Sequence, residues 1–311
     1  MPPQSPRDFS SKLVYPLRGI GESRHLPSQS WPLRIMPRLK IAAVALTVGS
    51  VCYAFAFPLG LKPVTPLCTA KDLATLSCSS GANLVDSCCV EKPGGLLLLT
   101  QLYNPELGPS DSWTIHGLWG DYCNGSFPTS CDASRDYKNI PAILKRYGQD
   151  QLLDYMSTMW LNDAPVTTVN GSDADLWAHE WSKHGTCMST LRSSCYSQYT
   201  RAQEVVDYYT STVRLFETLP TWVFLNNCGI SPSPNVTYAL ADIERCLKRA
   251  TGDHTPHIGC NKGGSLNEVW YYFHWVGKIA DGHVVGTEST FNSTCPVTGI
   301  KYLPKVTQMR A

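Results

Sequence analysis

The sequence predicts an α+β fold, with a central, mainly antiparallel sheet flanked by several helices in one disulfide-rich domain. Three observations carry that prediction. Short apolar runs bounded by turn residues read as buried strands, longer stretches repeat apolar residues at helical spacing, and the part of the chain after residue 56 holds an even number of cysteines. At 311 residues, 43% apolar and 16% charged, the chain can bury a full core without help from cross-links. Its 13 cysteines therefore point to an oxidising compartment rather than to small size.

Residues 1–35 are rich in Pro, Ser and Arg, lack a hydrophobic period, and read as an N-terminal extension, disordered or not translated. Residues 36–56 read as a secretory signal peptide: Met36-Pro-Arg-Leu-Lys is basic, Ile41–Phe57 is apolar, and Ala54-Phe55-Ala56 is a small-x-small triplet. The apolar run is shorter than the ~20 residues of a spanning helix, so no stable membrane association is expected. The domain is assigned to 57–311. Within it Gly95–Tyr103 (GLLLLTQLY) should be a buried strand, with Trp113–Trp119 (WTIHGLW) beside it. Helical spacing runs through Ile140–Trp160, Leu176–Cys187, Tyr196–Phe216 and Leu240–Ala250, the last stopped by Gly252. Glu268–Val276 and Gly282–Thr287 read as a hairpin about Ala280-Asp281-Gly282.

The first 56 residues carry seven Lys/Arg and two Asp/Glu, which leaves 19 and 23 in the remainder, a net of −4. No basic excess of the kind that marks non-specific nucleic-acid binders is visible. Seven of the eight histidines lie in this part, however. Below about pH 6 most would charge and move the net to roughly +3, so an acidic setting would suit a polyanionic substrate. Twelve cysteines remain after Cys52, with no pair of CxxC motifs for a zinc site, and read as six disulfides. Sequons at Asn170, Asn235 and Asn292 are expected to be glycosylated, in keeping with a secretory route.

Two segments concentrate His, acid, Lys and Trp: Trp113-Thr-Ile-His116-Gly-Leu-Trp119-Gly-Asp121 and Trp177-Ala-His179-Glu180-Trp-Ser-Lys183-His184-Gly-Thr-Cys187. On a helix, His179, Glu180, Lys183 and His184 would share roughly a 140° arc. Glu180 would be close enough to orient His184 four residues on. The pattern is HExxxH, not the HExxH of zinc proteases. The fifth-residue spacing turns the second imidazole about 140° from the first, and Lys183 would repel a divalent cation. No metal and no cofactor are expected. Three histidines with Glu and Lys are expensive to bury unless used. Trp113, Trp177 and Trp181 read as core, and Trp119 as a substrate contact.

These two motifs resemble the active-site segments of the ribonuclease T2 family, especially its secreted fungal members. The likeness extends to Cys88-Cys89, CNGSFP, Gly-Gly-Ser-Leu-Asn-Glu-Val-Trp near residue 263 and Gly299-Ile-Lys-Tyr-Leu-Pro-Lys, and covers about residues 65–305. The resemblance implies metal-free cleavage of single-stranded RNA through a 2′,3′-cyclic phosphate, with weak base preference and an acidic optimum. It makes His184 the base, His116 the acid, and His179 a phosphate ligand. Lys183 would stabilise the charged phosphorane, with Glu180 holding the cationic cluster. Trp119 and Phe127 would sandwich a base, and Asp121 would accept from an exocyclic amine. Phe127 stands where members often have Tyr, Gly120 where they often have Pro, and Leu176 where they often have an aromatic of the second base site. Asn124 is a sequon beside the base site, where a glycan would crowd substrate, so partial or no occupancy is expected. The resemblance also suggests Cys68–Cys89, Cys78–Cys123, Cys88–Cys195, Cys131–Cys187 and Cys260–Cys295, leaving Cys228 and Cys246 to pair as an addition. A monomer is expected, extracellular or in a vacuolar or lysosomal lumen.

Overall fold

The two apolar runs lie side by side in the sheet, as their composition requires. The computed structural model describes residues 68–306, so the N-terminal extension, the signal segment and both ends of the assigned domain lie outside the described residues. Seven strands occur among the described residues: β1 (Leu96–Leu102), β2 (Thr114–Asp121), β3 (Thr237–Tyr238), β4 (His257–Cys260), β5 (Leu266–Val276), β6 (His283–Thr287) and β7 (Ile300–Lys301). Eight helices accompany them: α1 (Ala70–Leu73), α2 (Ile140–Arg146), α3 (Asp150–Met159), α4 (Ala164–Thr167), α5 (Asp173–Lys183), α6 (Gln203–Glu217), α7 (Thr221–Asn227) and α8 (Leu240–Ala250). The main sheet runs β2-β1-β5, with β4 against the first half of β5 and β6 against its second. All its pairings are antiparallel, and β3 and β7 form a separate pair.

The hairpin predicted about residues 280–282 is present, with Val276 opposite His283. The α8 bounds also match the sequence reading. The single helix expected over Ile140–Trp160 is two, because Gly148 between them takes φ +66°. The helix expected from Leu176 starts earlier, at Asp173. Ser172 and Asp175 form a capping box there, and the helix stops at Lys183 before a short 3-10 turn. The long helix begins at Gln203 rather than Tyr196, since Ala202 takes φ +70° and interrupts it.

One face of the sheet carries most of the core. Leu97 and Leu99 of β1 pack there with Ile115, Leu118, Trp113, Trp177, Trp181 and the α6 residues Tyr208 and Tyr209. The opposite face has a small apolar cluster of Leu96, Leu98 and Tyr272, with Trp119 and Trp270 against it. All six pairings of the twelve cysteines are those anticipated, including Cys228–Cys246. Cys78–Cys123 ties the end of the β2 segment to the N-terminal region, and Cys131–Cys187 joins the turn after α5 to the loop before α2.

Strict alternation fails at one place, and it matters. Thr100 pairs with Gly117 but Gln101 pairs with Ile115, so His116 is the extra residue of a β-bulge. Ile115 therefore faces the main core while Gly117 faces the opposite side with Trp119. The bulge carbonyl of His116 accepts the indole N–H of buried Trp160 at 2.7 Å. Gly117 leaves the space that α5 fills: a Cβ there would lie 1.9 Å from Glu180 Oε2. Gly117→Ala is therefore expected to cost about 1–3 kcal/mol of folding stability by overpacking. Wild-type thermal stability in this variant would contradict the close fit.

Candidate active site

The helix–strand contact at Gly117 assembles the site. Glu180 lies on the inward side of α5 and is fully buried. Its Oε2 accepts the indole N–H of Trp119 at 2.8 Å, and its Oε1 lies 3.4 Å from His116 Nε2. Burial alone would raise the Glu180 pKa. The His116 imidazole, then His184 and the Trp119 bond, outweigh that and hold it at about 2. The carboxylate is thus an anion in the interior, facing one imidazole directly.

His184 follows the last turn of α5, with its backbone N–H still on the Glu180 carbonyl at 3.0 Å. Its ring stacks on Trp119, centroids 4.9 Å apart and planes at 18°. Burial pushes its pKa down to about 3 against the pull of Glu180, and the charges of Lys183, His116 and His179 act in the same direction as burial. The ring is thereby favoured neutral, and its buried Nε2 has no hydrogen-bond partner. The direct Glu180–His184 bond expected from the i,i+4 spacing is not formed. His184 is the C-cap of α5, with φ −112°, and the carboxylate has turned to the strand.

His116 completes a three-ring group, edge-on to Trp119 at 5.1 Å and 84°. His179 and Lys183 lie half-exposed on α5. Burial lowers the His179 pKa, and Lys183, His116 and Lys138 act with it against Glu180. The α5 arc read from the sequence is therefore divided between one buried anion and two groups that reach solvent.

The base-binding expectations are brought together less fully. Asp121, at the end of β2, is 4% exposed, and burial pushes its carboxyl up to about 7. In an acidic medium it is a neutral carboxylic acid, able to donate as well as accept. Trp119, expected to stack on a base, spends one ring face on His184 and its N–H on Glu180. Phe127 is 58% exposed on the next loop. Leu176 lies wholly in the core. Asn124, Asn170, Asn235 and Asn292 are all exposed. Among the described residues no group of three or more His, Cys, Asp or Glu is placed to hold a metal ion, and no helix is long and apolar enough to cross a membrane. The bulge, Trp160 beneath it, Trp270 beside Trp119 and Glu268 bonded to Trp270 were not anticipated from the sequence. The last two sit in the Asn267-Glu268-Val269-Trp270 stretch, which was recognisable but had no role attached.

Comparison with known proteins shows the family of the chain. The sequence model of the Ribonuclease T2 family matches residues 85–286. The chain is 41% identical over 272 residues to Ribonuclease T2 of Aspergillus oryzae, covering 87% of this chain and 91% of that one. It is 46% identical over 240 residues to Ribonuclease Trv of Hypocrea rufa, covering 76% and 98%. It spans only 55% of the Ribonuclease T2-like protein of Aspergillus fumigatus, at 46% identity over 233 residues. Among solved structures, the crystal structure of Actibind, described among T2 ribonucleases as antitumorigenic agents, superposes with a TM-score of 0.69 at 41% identity. That match covers 77% of this chain and 98% of Actibind. The chain belongs to the Ribonuclease T2 family and is an endoribonuclease of the T2 type.

Proposed function

We propose that the enzyme cuts single-stranded RNA by transphosphorylation, with two imidazoles as base and acid and no metal ion. One observation carries the reading: His116 and His184 flank the same indole in opposite surroundings, one facing an ionised carboxylate and one buried and neutral. Groups whose surroundings separate them in this way suit opposite proton-transfer roles.

His184 takes the 2′-OH proton as O2′ attacks phosphorus, and His116 gives its proton to O5′ as the P–O5′ bond breaks. The products are a 2′,3′-cyclic phosphate and a free 5′-OH. In the slower second step His116 takes a proton from water, His184 returns one to O2′, and a 3′-phosphate remains. Glu180, 3.4 Å from the His116 Nε2, orients that ring. His179 and Lys183 bind the phosphate and offset the charge of the phosphorane. Asp121, Trp119 and Phe127 receive a base with little discrimination, since stacking tolerates every base. The 2′-OH is the nucleophile, so DNA is not a substrate.

The enzyme works as a secreted monomer, extracellular or in a vacuolar or lysosomal lumen, after loss of a signal peptide. Six disulfides among the described residues and four exposed sequons support that route. Acidic surroundings agree with the neutral His184 and with the histidine-rich charge balance.

Incubation with single-stranded RNA in EDTA at about pH 4–6, where free imidazoles charge, should release 2′,3′-cyclic ends. Activity lost to EDTA would refute the metal-free reading. His116→Phe and His184→Phe should each lower the rate by about 10³-fold, and wild-type rates in either would refute the roles. The pH profile has a definite sign. A base whose pKa is held near 3 stays competent as the medium is acidified, so the acid limb of kcat/KM should fall well below the 6.5 of a free histidine. The same lowered pKa makes folding stability decline as the pH drops from about 6.5 toward that value. An acid limb at 6.5 would contradict the buried, neutral base.

A further inference from the structure

Several aromatic groups next to the site have no part in the proton transfers. Trp270 packs edge-on against Trp119, with ring centroids 5.3 Å apart and planes at 69°. Phe291, in the loop after β6, stands edge-on to Trp270 at 6.1 Å and 79°. Rings therefore follow one another from His184 through Trp119 and Trp270 to Phe291, which is 47% exposed.

Trp270 and the loop of Phe291 are both held in place. The Trp270 indole N–H donates to Glu268 Oε2 at 3.1 Å, and the buried His257 ring packs against it at 4.4 Å. The loop of Phe291 is seated against the turn that leads to Phe127, since a Cβ on Gly125 would meet Thr290 at 3.1 Å. On the α5 side, by contrast, Leu176 is buried and offers no stacking surface.

We propose that Phe291 and Trp270 form a base-stacking subsite for a second nucleotide of single-stranded RNA, flanking the one received at Asp121. The subsite rests on the RNA-cleaving reading above. A braced indole beside a half-exposed phenyl ring, continuous with the catalytic rings, is a preorganised platform of the kind that binds unpaired bases. The base lies on the open face of Phe291 with its edge toward Trp270. Because stacking reads no hydrogen-bond pattern, the subsite adds affinity without adding sequence preference.

The test compares two substrates on one enzyme, a single-stranded octanucleotide and adenosine 2′,3′-cyclic phosphate, which has no flanking nucleotide. Asn292, a sequon asparagine, follows Phe291, so the protein is treated with glycosidase first. In Phe291→Leu, which keeps apolar bulk but no ring, the ratio of kcat/KM for octamer to cyclic nucleotide should fall about tenfold. Phe291→Trp should keep the wild-type ratio. An unchanged ratio in Phe291→Leu, or an equal fall in Phe291→Trp, overturns the subsite. Since the cyclic nucleotide is an internal reference, a variant of reduced stability still reports. A wild-type enzyme inert on both substrates would instead overturn the ribonuclease reading itself.

Discussion

A single buried carboxylate organises this enzyme. An ion taken out of water costs several kcal/mol unless partners replace its hydration. Glu180 is fully buried and ionised, so the surrounding chain is arranged to supply those partners. Trp119 donates its indole N–H to Oε2, and His116 Nε2 stands 3.4 Å from Oε1, which has no hydrogen bond of its own. The bulge in β2 delivers His116 to the carboxylate, and the missing side chain of Gly117 lets helix and strand approach. Trp160 then fixes the bulge from beneath. Each of these features would be arbitrary alone. Together they replace part of the hydration that a buried anion has lost, and the residues that do so are also those proposed to carry the chemistry.

The same anion separates two chemically identical groups. His116 faces it, whereas His184 is carried past it by the end of α5 and laid flat on Trp119. Burial then dominates at His184 and favours the uncharged ring. Here Trp119 spaces the rings while its N–H ties their geometry to Glu180, so one side chain fixes distance and orientation at once.

Much of this was legible in the sequence, for identifiable reasons. Leucine-rich β1 and amphipathic α8 announce themselves by composition and period, and their bounds match the structure closely. The cysteine pairing followed a family resemblance, and Cys228–Cys246 followed as the remaining pair. The His, Glu and Lys residues of α5 stood out because that combination is costly to bury unused. The breaks at Gly148 and Ala202 were missed, since apolar spacing continues across them while the backbone takes positive φ. The bulge was hidden for a deeper reason. WTIHGLW reads as ordinary alternation, and only the demand of Glu180, distant in sequence, shows why His116 and Gly117 must leave it. Base recognition stayed least legible, because it depends on how Asp121, Phe127 and the Phe291 loop meet across separate elements.

The most direct test is the ionisation of Glu180 in the folded enzyme. Carboxyl groups can be followed by ¹³C NMR in glutamate-labelled protein, with the resonance assigned by its loss in Glu180→Gln. The account predicts a carboxylate that stays ionised as the pH is lowered past the ordinary 4.5, taking up its proton only near 2. A Glu180 carboxyl that protonates at or above 4.5 would contradict it, because a neutral acid would not need His116 and the Trp119 indole gathered around it.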